Sequence, residues 1–410
     1  MSKITESITK ITKNHSPIII MTLGSIFIFF SNIFLKQYLT PKDYGGYSLF
    51  ITYISLINSF GLLGFEQVFL RISNKKDKGV IETNKLLLIL ICTLGLVFGL
   101  VCSLIFRIFF LKINYFLIFG CTIGISFSMF MFNIFRLNSD FLIAQVLYNG
   151  WKLFLGLFVF VLICFNIKIE LINVILVLFI SLSAVIITSH IGVNKNIRWE
   201  LGQNTSLSTI IKYSFHFFIS LLTLSVIGNA DKFYIEKQFG MEILGDYFYL
   251  ANLFIFPFSL LQGYVGFKEL VFFKENFDLK IFNKKSTRIN LLGIGLAILL
   301  IIINLLFFQF NYISVDLFKY KTLIFLFLIT GILKLNYAIQ SSAFGAVGEI
   351  KTIRKANIQS IFVISCIVFL FYFLIGDKLI LIEYIAFVIM LFWLSRILIW
   401  NFNIRNQIYK

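Results

Sequence analysis

The sequence predicts an all-α polytopic membrane protein with about 12 transmembrane helices, arranged as two similar six-helix halves. Three observations predict it. Only 13% of the 410 residues are charged while 59% are hydrophobic. Apolar runs of about 20 residues recur along the whole chain, each long enough to cross about 30 Å of hydrocarbon. One short turn sequence also recurs after 200 residues. A water-soluble domain of this length needs far more polar surface to meet its solvent.

Hydropathy and loop punctuation place spans near 17–37, 44–69, 86–111, 114–136, 140–165 and 170–191. A second set follows near 210–234, 243–267, 289–310, 320–346, 356–376 and 379–402, giving domains of 1–205 and 206–410. Ahead of the first span, "MSKITESITKITKNHSP" is polar and weakly amphipathic, and no small-residue cleavage site follows the first apolar run. The net charge of +17 lies in short loops between spans, so it reads as membrane orientation and nothing points to nucleic acid. With the N-terminus inside, inner segments hold 22 Lys and Arg and outer loops hold 9. That bias places both termini in the cytoplasm. Five cysteines, all inside apolar segments and without C-x-x-C spacing, give no disulfide framework. Three scattered histidines form no ligand cluster.

"KQYLTPKDYGGYSLF" (36–50) joins spans 1 and 2, and "KQFGMEILGDYFYL" (237–250) joins spans 7 and 8. At the 200-residue offset Gly45 meets Gly245 and Tyr47 meets Tyr247, and the offset equals the spacing of the two span sets. Internal duplication across the membrane is transporter architecture, with a substrate path where the halves meet.

Four spans carry a polar stripe that lipid rejects. Gln145, Asn149, Lys152 and Gly156 share one helical face, as do Thr330, Lys334, Tyr337 and Ser341. A third span offers Lys212, His216, Ser220 and Thr223, with its cations toward the cytoplasmic end. A fourth offers Asn252, Ser259 and Gln262 beside Pro257, where a kink is expected. A lysine at bilayer mid-depth costs about 2.5–3.5 kcal/mol on insertion scales and marks a functional site by default. The sequence places no acid at the depth of Lys152 or Lys334, so both are expected to line a wet, cationic central cavity. Arg107 and Arg396 read as snorkelling anchors. Glu66, beside Gln67, reads as the partner of surface Arg71 ahead of a coupling-ion site. The abundant phenylalanines, 52 in number, read mostly as lipid-facing filler, so no single one is nominated.

"LTPKDYGGYSLF" resembles the turn after the first span of polysaccharide and O-antigen flippases, members of the MATE-like MOP superfamily. "GNADKFYIEKQFGMEILGDYFYLANL" resembles the same family's connection between spans 7 and 8. The likeness covers the twelve-span plan, with specific letters only in these two turns. It implies a MATE-like fold and movement of undecaprenyl-diphosphate-linked oligosaccharide from the cytoplasmic to the periplasmic face of a bacterial inner membrane. No cofactor is implied, and the expected drive is a proton or sodium gradient or downstream consumption of the product. The expected partners are the glycan lipid, the bilayer, and a polysaccharide polymerase with its chain-length regulator. A diphosphate carries roughly two charges whose Born cost in hydrocarbon is prohibitive, and mid-depth lysines offset it. The Asn, Gln, Ser and Tyr groups of the stripes can exchange hydrogen bonds with sugar hydroxyls.

Rival readings fare worse. No phosphate loop is present, so a nucleotide-driven pump is not supported. A membrane polysaccharide polymerase needs a long extracytoplasmic loop, and the outer connections are short. A multidrug exporter of the same superfamily needs in-membrane acids for cationic drugs, and here the mid-depth charges are lysines. Topology is directly testable. Reporter fusions after Asp77 and Asn276 should read cytoplasmic, and those after Asp43 and Lys237 periplasmic. The reverse at any two sites would sink the twelve-span plan.

Overall fold

A computed structural model describes residues 2–77, 79–202, 205–275, 277–375 and 381–408. Lys78, Asn276, Lys378 and Lys410, which enter the charge pattern or the fusion sites, lie outside the described residues. The chain divides into two compact units, Met1–Ser225 and Val226–Lys410. The first holds α1 (Ser2–Tyr38), α2 (Pro41–Phe60), α3 (Phe65–Ile72), β1 (Asn74–Asp77), β2 (Val80–Glu82), α4 (Lys85–Phe109) and α5 (Tyr115–Leu137). It continues with α6 (Phe141–Phe165), α7 (Leu171–Asn196) and β3 (Arg198–Glu200), and the division falls within α8 (Leu207–Phe239). The second holds α9 (Met241–Phe254), α10 (Phe256–Glu275), α11 (Leu279–Gln309), α12 (Lys321–Val347), α13 (Ile350–Ile375) and α14 (Ile382–Ile408).

Among the described residues, 11 helices are long and apolar enough to cross a membrane. A twelfth crossing results if Met241–Phe254 and Phe256–Gly266 form one span, bent by 47°. The bend falls at Ile255, two residues before Pro257. Proline supplies no N–H to the helix ladder, and its ring displaces the carbonyl four residues back, so the sequence-expected kink is present. Large apolar side chains such as Leu291, Phe362 and Tyr372 point outward along these helices, at 63%, 68% and 78% exposure. In water that would be an aggregating surface; in lipid it is a matched one. The chain is a multi-pass membrane protein.

The recurring turn has a physical reading in the first unit. Thr40 caps α2 by accepting the Asp43 amide at 3.1 Å, and Pro41 takes a first-turn position where no N–H is needed. Tyr44 and Tyr47 donate their hydroxyls to the Asn32 backbone and side-chain oxygens at 2.5 and 2.7 Å, tying α2 back onto α1. A Cβ on Gly46 would lie 2.6 Å from Leu171 Cδ2, so any larger residue there makes the Leu171 side chain shift. Helix α1 also packs closely on α6, because Gly156 faces Phe27 and Gly24 faces Asn149. Small residues that admit a neighbour are the usual device where lipid supplies no hydrophobic drive between helices.

Three features depart from the sequence reading. Span 2 is broken: Leu63 and Gly64 are left-handed, with φ of 54° and 79°. A Cβ on Gly64 would meet the Ser214 carbonyl and the Phe218 amide at 2.8 Å. Leu63 is held in its strained conformation by its carbonyl, which accepts the Ser214 hydroxyl at 2.7 Å. Secondly, α11 begins ten residues before the expected span, with Asp278 capping it by accepting the Lys280 amide at 3.1 Å. Polar helix continues past the apolar stretch because hydropathy registers the membrane and not the helix. Thirdly, the chain is not purely helical. β1 pairs antiparallel with β2, and β2 pairs parallel with β3 in the register Val80↔Arg198, Ile81↔Trp199, Glu82↔Glu200. Strands of three and four residues leave no readable periodicity.

That small sheet checks the alternation of spans. It joins the loops after spans 2 and 6, and Lys75 reaches the Asn138 carbonyl in the loop after span 4 at 2.7 Å. All three loops are expected on one face. Lys76 sits between Glu200 at 2.8 Å and Glu82 at 3.4 Å, and the Glu200 hydrogen bond holds its ammonium above the ordinary lysine range. At the opposite end Ile169 donates to the Tyr38 carbonyl at 3.2 Å, joining two loops expected on the other face. In the second unit the Tyr320 hydroxyl meets Asp246 at 3.3 Å on that same expected face, while Arg405 reaches Asn283 at 3.3 Å on the first.

Packing at the α1–α6 seam yields a direct test. A Cβ on Gly156 would lie 2.1 Å from the Phe27 ring and 2.7 Å from its Cβ, whereas one on Gly228 in α8 would meet nothing within 4 Å. Gly156→Leu should lower stability in mixed micelles by about 1–3 kcal/mol. Gly228→Ala should leave stability unchanged or raise it by about 0.5–1 kcal/mol. Equal unfolding curves for Gly156→Leu and wild type would refute the close seam.

Candidate functional site

Each unit holds a cation at the middle of a membrane helix. Lys152 lies 11 residues from one end of α6 and 13 from the other, and Lys334 lies 13 from either end of α12. At 1.5 Å per residue that is about 16–20 Å from each helix end.

In the first unit the stripe read from the sequence is a hydrogen-bonded chain. Lys152 donates to Asn149 Oδ1 at 2.8 Å, and Asn149 donates to Gln145 Oε1 at 2.9 Å. The Lys152 ammonium stands 4.6 Å from the centre of the Tyr148 ring and 5.7 Å from that of Trp151. Cation–π attraction of this kind is worth up to about 2 kcal/mol where water is excluded. Tyr148 is itself held by Asn58 of α2, whose side-chain amide donates to the phenol oxygen at 2.9 Å. Asn149 in turn is pressed by Gly24 of α1. Among the described residues no carboxylate lies within 4.0 Å of Lys152, so neutral and aromatic groups alone hold it. Lys212 and His216 are exposed on α8 and bond to none of this group.

In the second unit Lys334 donates to Ser259 of α10 at 3.1 Å and stands 5.5 Å from the Trp393 ring. Asn252 is buried and donates to the Phe248 carbonyl of its own helix at 2.8 Å. Gln262 and Ser341 are half-buried. Tyr337 is buried in the helix seam, its hydroxyl accepting from Arg396 Nε at 3.0 Å.

Two sequence expectations are corrected here. Arg396 is no snorkelling anchor: it is 1% exposed, with the Tyr337 ring at 5.2 Å and the Trp400 ring at 5.0 Å packed beside it. The readable signal was aromatic spacing, since Trp393 and Trp400 flank Arg396 at i−3 and i+4 on one helical face. Glu66 is not paired with Arg71. Arg71 lies over the Tyr213 ring at 5.0 Å, while Glu66 is 3% exposed and neither carboxylate oxygen has a hydrogen-bond partner. Its own amide, the Gln67 side chain and the Gly64 backbone lie near without well-directed hydrogen bonds. The helix break at Gly64 turns this acid inward, and no sequence pattern announces that break.

The tyrosines of the repeated turn act alike. Tyr47 donates to Asn32 Oδ1 at 2.7 Å, and Tyr247 donates to Asp231 Oδ2 at 2.6 Å. Asp231 is 8% exposed, and its other oxygen lies 3.6 Å from Lys232.

No family model matches the chain, and no curated protein matches it. A solved structure described as "protein A" is similar over 99% of this chain and 96% of its own length, at 14% identity and a TM-score of 0.59. A likeness at that identity concerns the fold alone.

The two tyrosine bonds differ in their acceptor, which gives an ordered expectation. Tyr247→Phe removes a bond to a buried carboxylate and should cost about 1.5–3 kcal/mol; Tyr47→Phe removes one to an amide and should cost about 1 kcal/mol. Unfolding in mixed micelles measures both. A larger loss for Tyr47→Phe would contradict the assignment of Asp231 as the charged acceptor.

Proposed function

We propose that this protein is a flippase that moves undecaprenyl-diphosphate-linked oligosaccharide, an O-antigen or capsule repeat unit, from the cytoplasmic to the periplasmic leaflet of a bacterial inner membrane. In this reading it is a transporter and no enzyme, with both termini cytoplasmic, working by alternating access through a cationic central cavity. The observation that carries the reading is Lys152: a mid-membrane ammonium with three donor hydrogens, one neutral acceptor and no acid. Such a charge is retained where an anion visits it. A diphosphate needs that compensation, and a neutral or cationic cargo gains nothing from it. Lys334, also at mid-helix and held by a serine and a tryptophan, fits the same role.

A two-bundle, MATE-like plan is supported by recurrence within each unit. Helix pairs α2–α5, α4–α5, α5–α7 and α6–α7 pack together, and so do their counterparts α9–α12, α11–α12, α12–α14 and α13–α14. The α1–α6 seam has no strong counterpart, so the halves are similar without being equal. Glu66 is the candidate coupling group, to be filled by a proton or sodium ion, because a buried carboxylate without a well-directed hydrogen bond is unaffordable as a bare anion. The reading of a multidrug exporter for cations rests on that one acid.

Complementation of a flippase-null strain tests the proposal, scoring surface glycan against the amount of protein in the membrane. Lys152→Arg keeps the positive charge and should keep most export, whereas Lys152→Gln should lose at least about tenfold at normal protein levels, equivalent to 1.4 kcal/mol or more. Lys334 should behave alike, and Glu66→Gln should lose export with protein intact. Wild-type glycan from the Lys152→Gln, Lys334→Gln double variant would end the cationic-cavity reading. Loss of the protein itself would assign the lysines to folding.

A further inference from the structure

The first turns of α11 are not required to cross the bilayer. Its apolar stretch, 289–309, is about 30 Å long at 1.5 Å per residue, which matches the hydrocarbon core. Yet the helix starts at Leu279. Its counterpart in the first unit, α4, starts at Lys85, directly ahead of its own apolar run. The added turns are firmly seated. Phe282 is buried, its ring 6.2 Å from those of Phe273 and Phe277, and Lys285 pairs with Glu269 of α10 while standing 3.5 Å from the Phe272 ring. Seating also fixes the rotation of the helix. Asn283 accepts from Arg405 of α14 at 3.3 Å, and Ser286 and Asn290 accept from Asn336 of α12 at 3.2 and 2.7 Å. Those three residues mark the face turned to the bundle.

Lys280, Lys284 and Arg288, at i, i+4 and i+8, share a different face, and all three are exposed. That face runs on into Leu291, Ile298 and Ile302, which are exposed apolar side chains of the span and so meet lipid. The cations therefore stand over the lipid that touches α11. Arg288 lies at the edge of the hydrocarbon and Lys280 about 12 Å further out along the helix, at depths that long basic side chains match to lipid headgroups. Their charge is not neutralised within the unit. Among the described side chains no carboxylate lies within 4.0 Å of any of the three. Glu269 is taken by Lys285, and Asp278 caps the helix at the Lys280 amide. Lys76 in the first unit, by contrast, sits between Glu200 and Glu82. Orientation of a span needs positive charge in its loop, but gives no reason for three cations at one rotation of an ordered helix. We infer that Lys280, Lys284 and Arg288 form a binding surface for the phosphate headgroup of an anionic phospholipid, in the leaflet at the start of α11, with its acyl chains along Leu291 and Ile298. The headgroup supplies the negative charge this face lacks, and the chains supply apolar contact that free phosphate cannot. The surface is separate from the lysines assigned to transport and does not depend on that reading.

The test uses purified full-length protein in nanodiscs of phosphatidylglycerol and phosphatidylcholine in equal amounts, with a photo-reactive phenylalanine analogue in place of Leu291. Mass spectrometry of the crosslinked lipid should show phosphatidylglycerol enriched over phosphatidylcholine by at least about tenfold, since each basic group at the surface contributes on the order of fivefold. Replacing Lys280, Lys284 and Arg288 together by Gln should return capture to the bulk ratio, whereas Lys280→Arg with Lys284→Arg should keep the enrichment. Lys319→Gln with Lys321→Gln, at the other end of the unit, should leave it unchanged, as should an excess of inorganic phosphate. The single variant Lys284→Gln should lose about fivefold, and it decides the matter if the triple variant does not fold. Capture at the bulk ratio by the unaltered stripe would overturn the inference. So would enrichment that survives the Gln variants, or displacement of the lipid by inorganic phosphate.

Discussion

A positive charge halfway through a bilayer must be held by something, and the organisation of both units follows from how that is done. Lys152 is held by an asparagine, a tyrosine face and a tryptophan face. Those groups hold the ammonium in place without neutralising it. A salt bridge would have closed the site, because a paired lysine has little left to offer an incoming anion. Arg396 is handled differently: the Tyr337 and Trp400 rings pack beside a charge that cannot be discharged, and Nη1 has no hydrogen-bond partner among the described residues. One is half-buried and adaptable, the other sealed.

Holding Lys152 in place recruits distant parts of the first unit. Asn149 is fixed by Gly24 of α1, and Gly156 lets Phe27 settle about two turns further along α6. Tyr148 is fixed by Asn58 of α2, while Tyr44 and Tyr47 tie α2 to α1. Thus the short turn that recurs in the second half also organises the support of a mid-membrane cation. At the far end of the unit the three-stranded sheet joins two loops through backbone bonds and the Lys76 ion pairs, and the Lys75 side chain ties in a third. Exposed ion pairs contribute little energy singly, so the sheet is better read as fixing loop register than as a source of stability.

Much of this was legible from residues alone. Spans are set by the thickness of hydrocarbon, so a run such as 141–165 announces its helix without help from tertiary structure. The Gln145, Asn149, Lys152 stripe was legible because helical periodicity puts those residues on one face. What escaped was decided by partners distant in sequence. Leu63 and Gly64 break span 2 because Ser214, 151 residues later, accommodates the turn. With the break unseen, Glu66 reads as the partner of surface Arg71. Arg396 was read as an anchor because hydropathy treats any arginine near a span end as snorkelling, and the aromatic box around it spans two helices. The strands were too short to leave a pattern.

The central claim is that mid-membrane cations carry an anionic amphiphile across the bilayer. It is tested most directly with purified protein in liposomes, following transbilayer movement of two lipids that bear the same short glycan. One carries the glycan on a polyprenyl diphosphate, the other on an uncharged linkage. The account predicts that the protein speeds movement of the diphosphate lipid and leaves the uncharged one at the rate of protein-free liposomes. Equal acceleration of both lipids, or acceleration of neither, would contradict it.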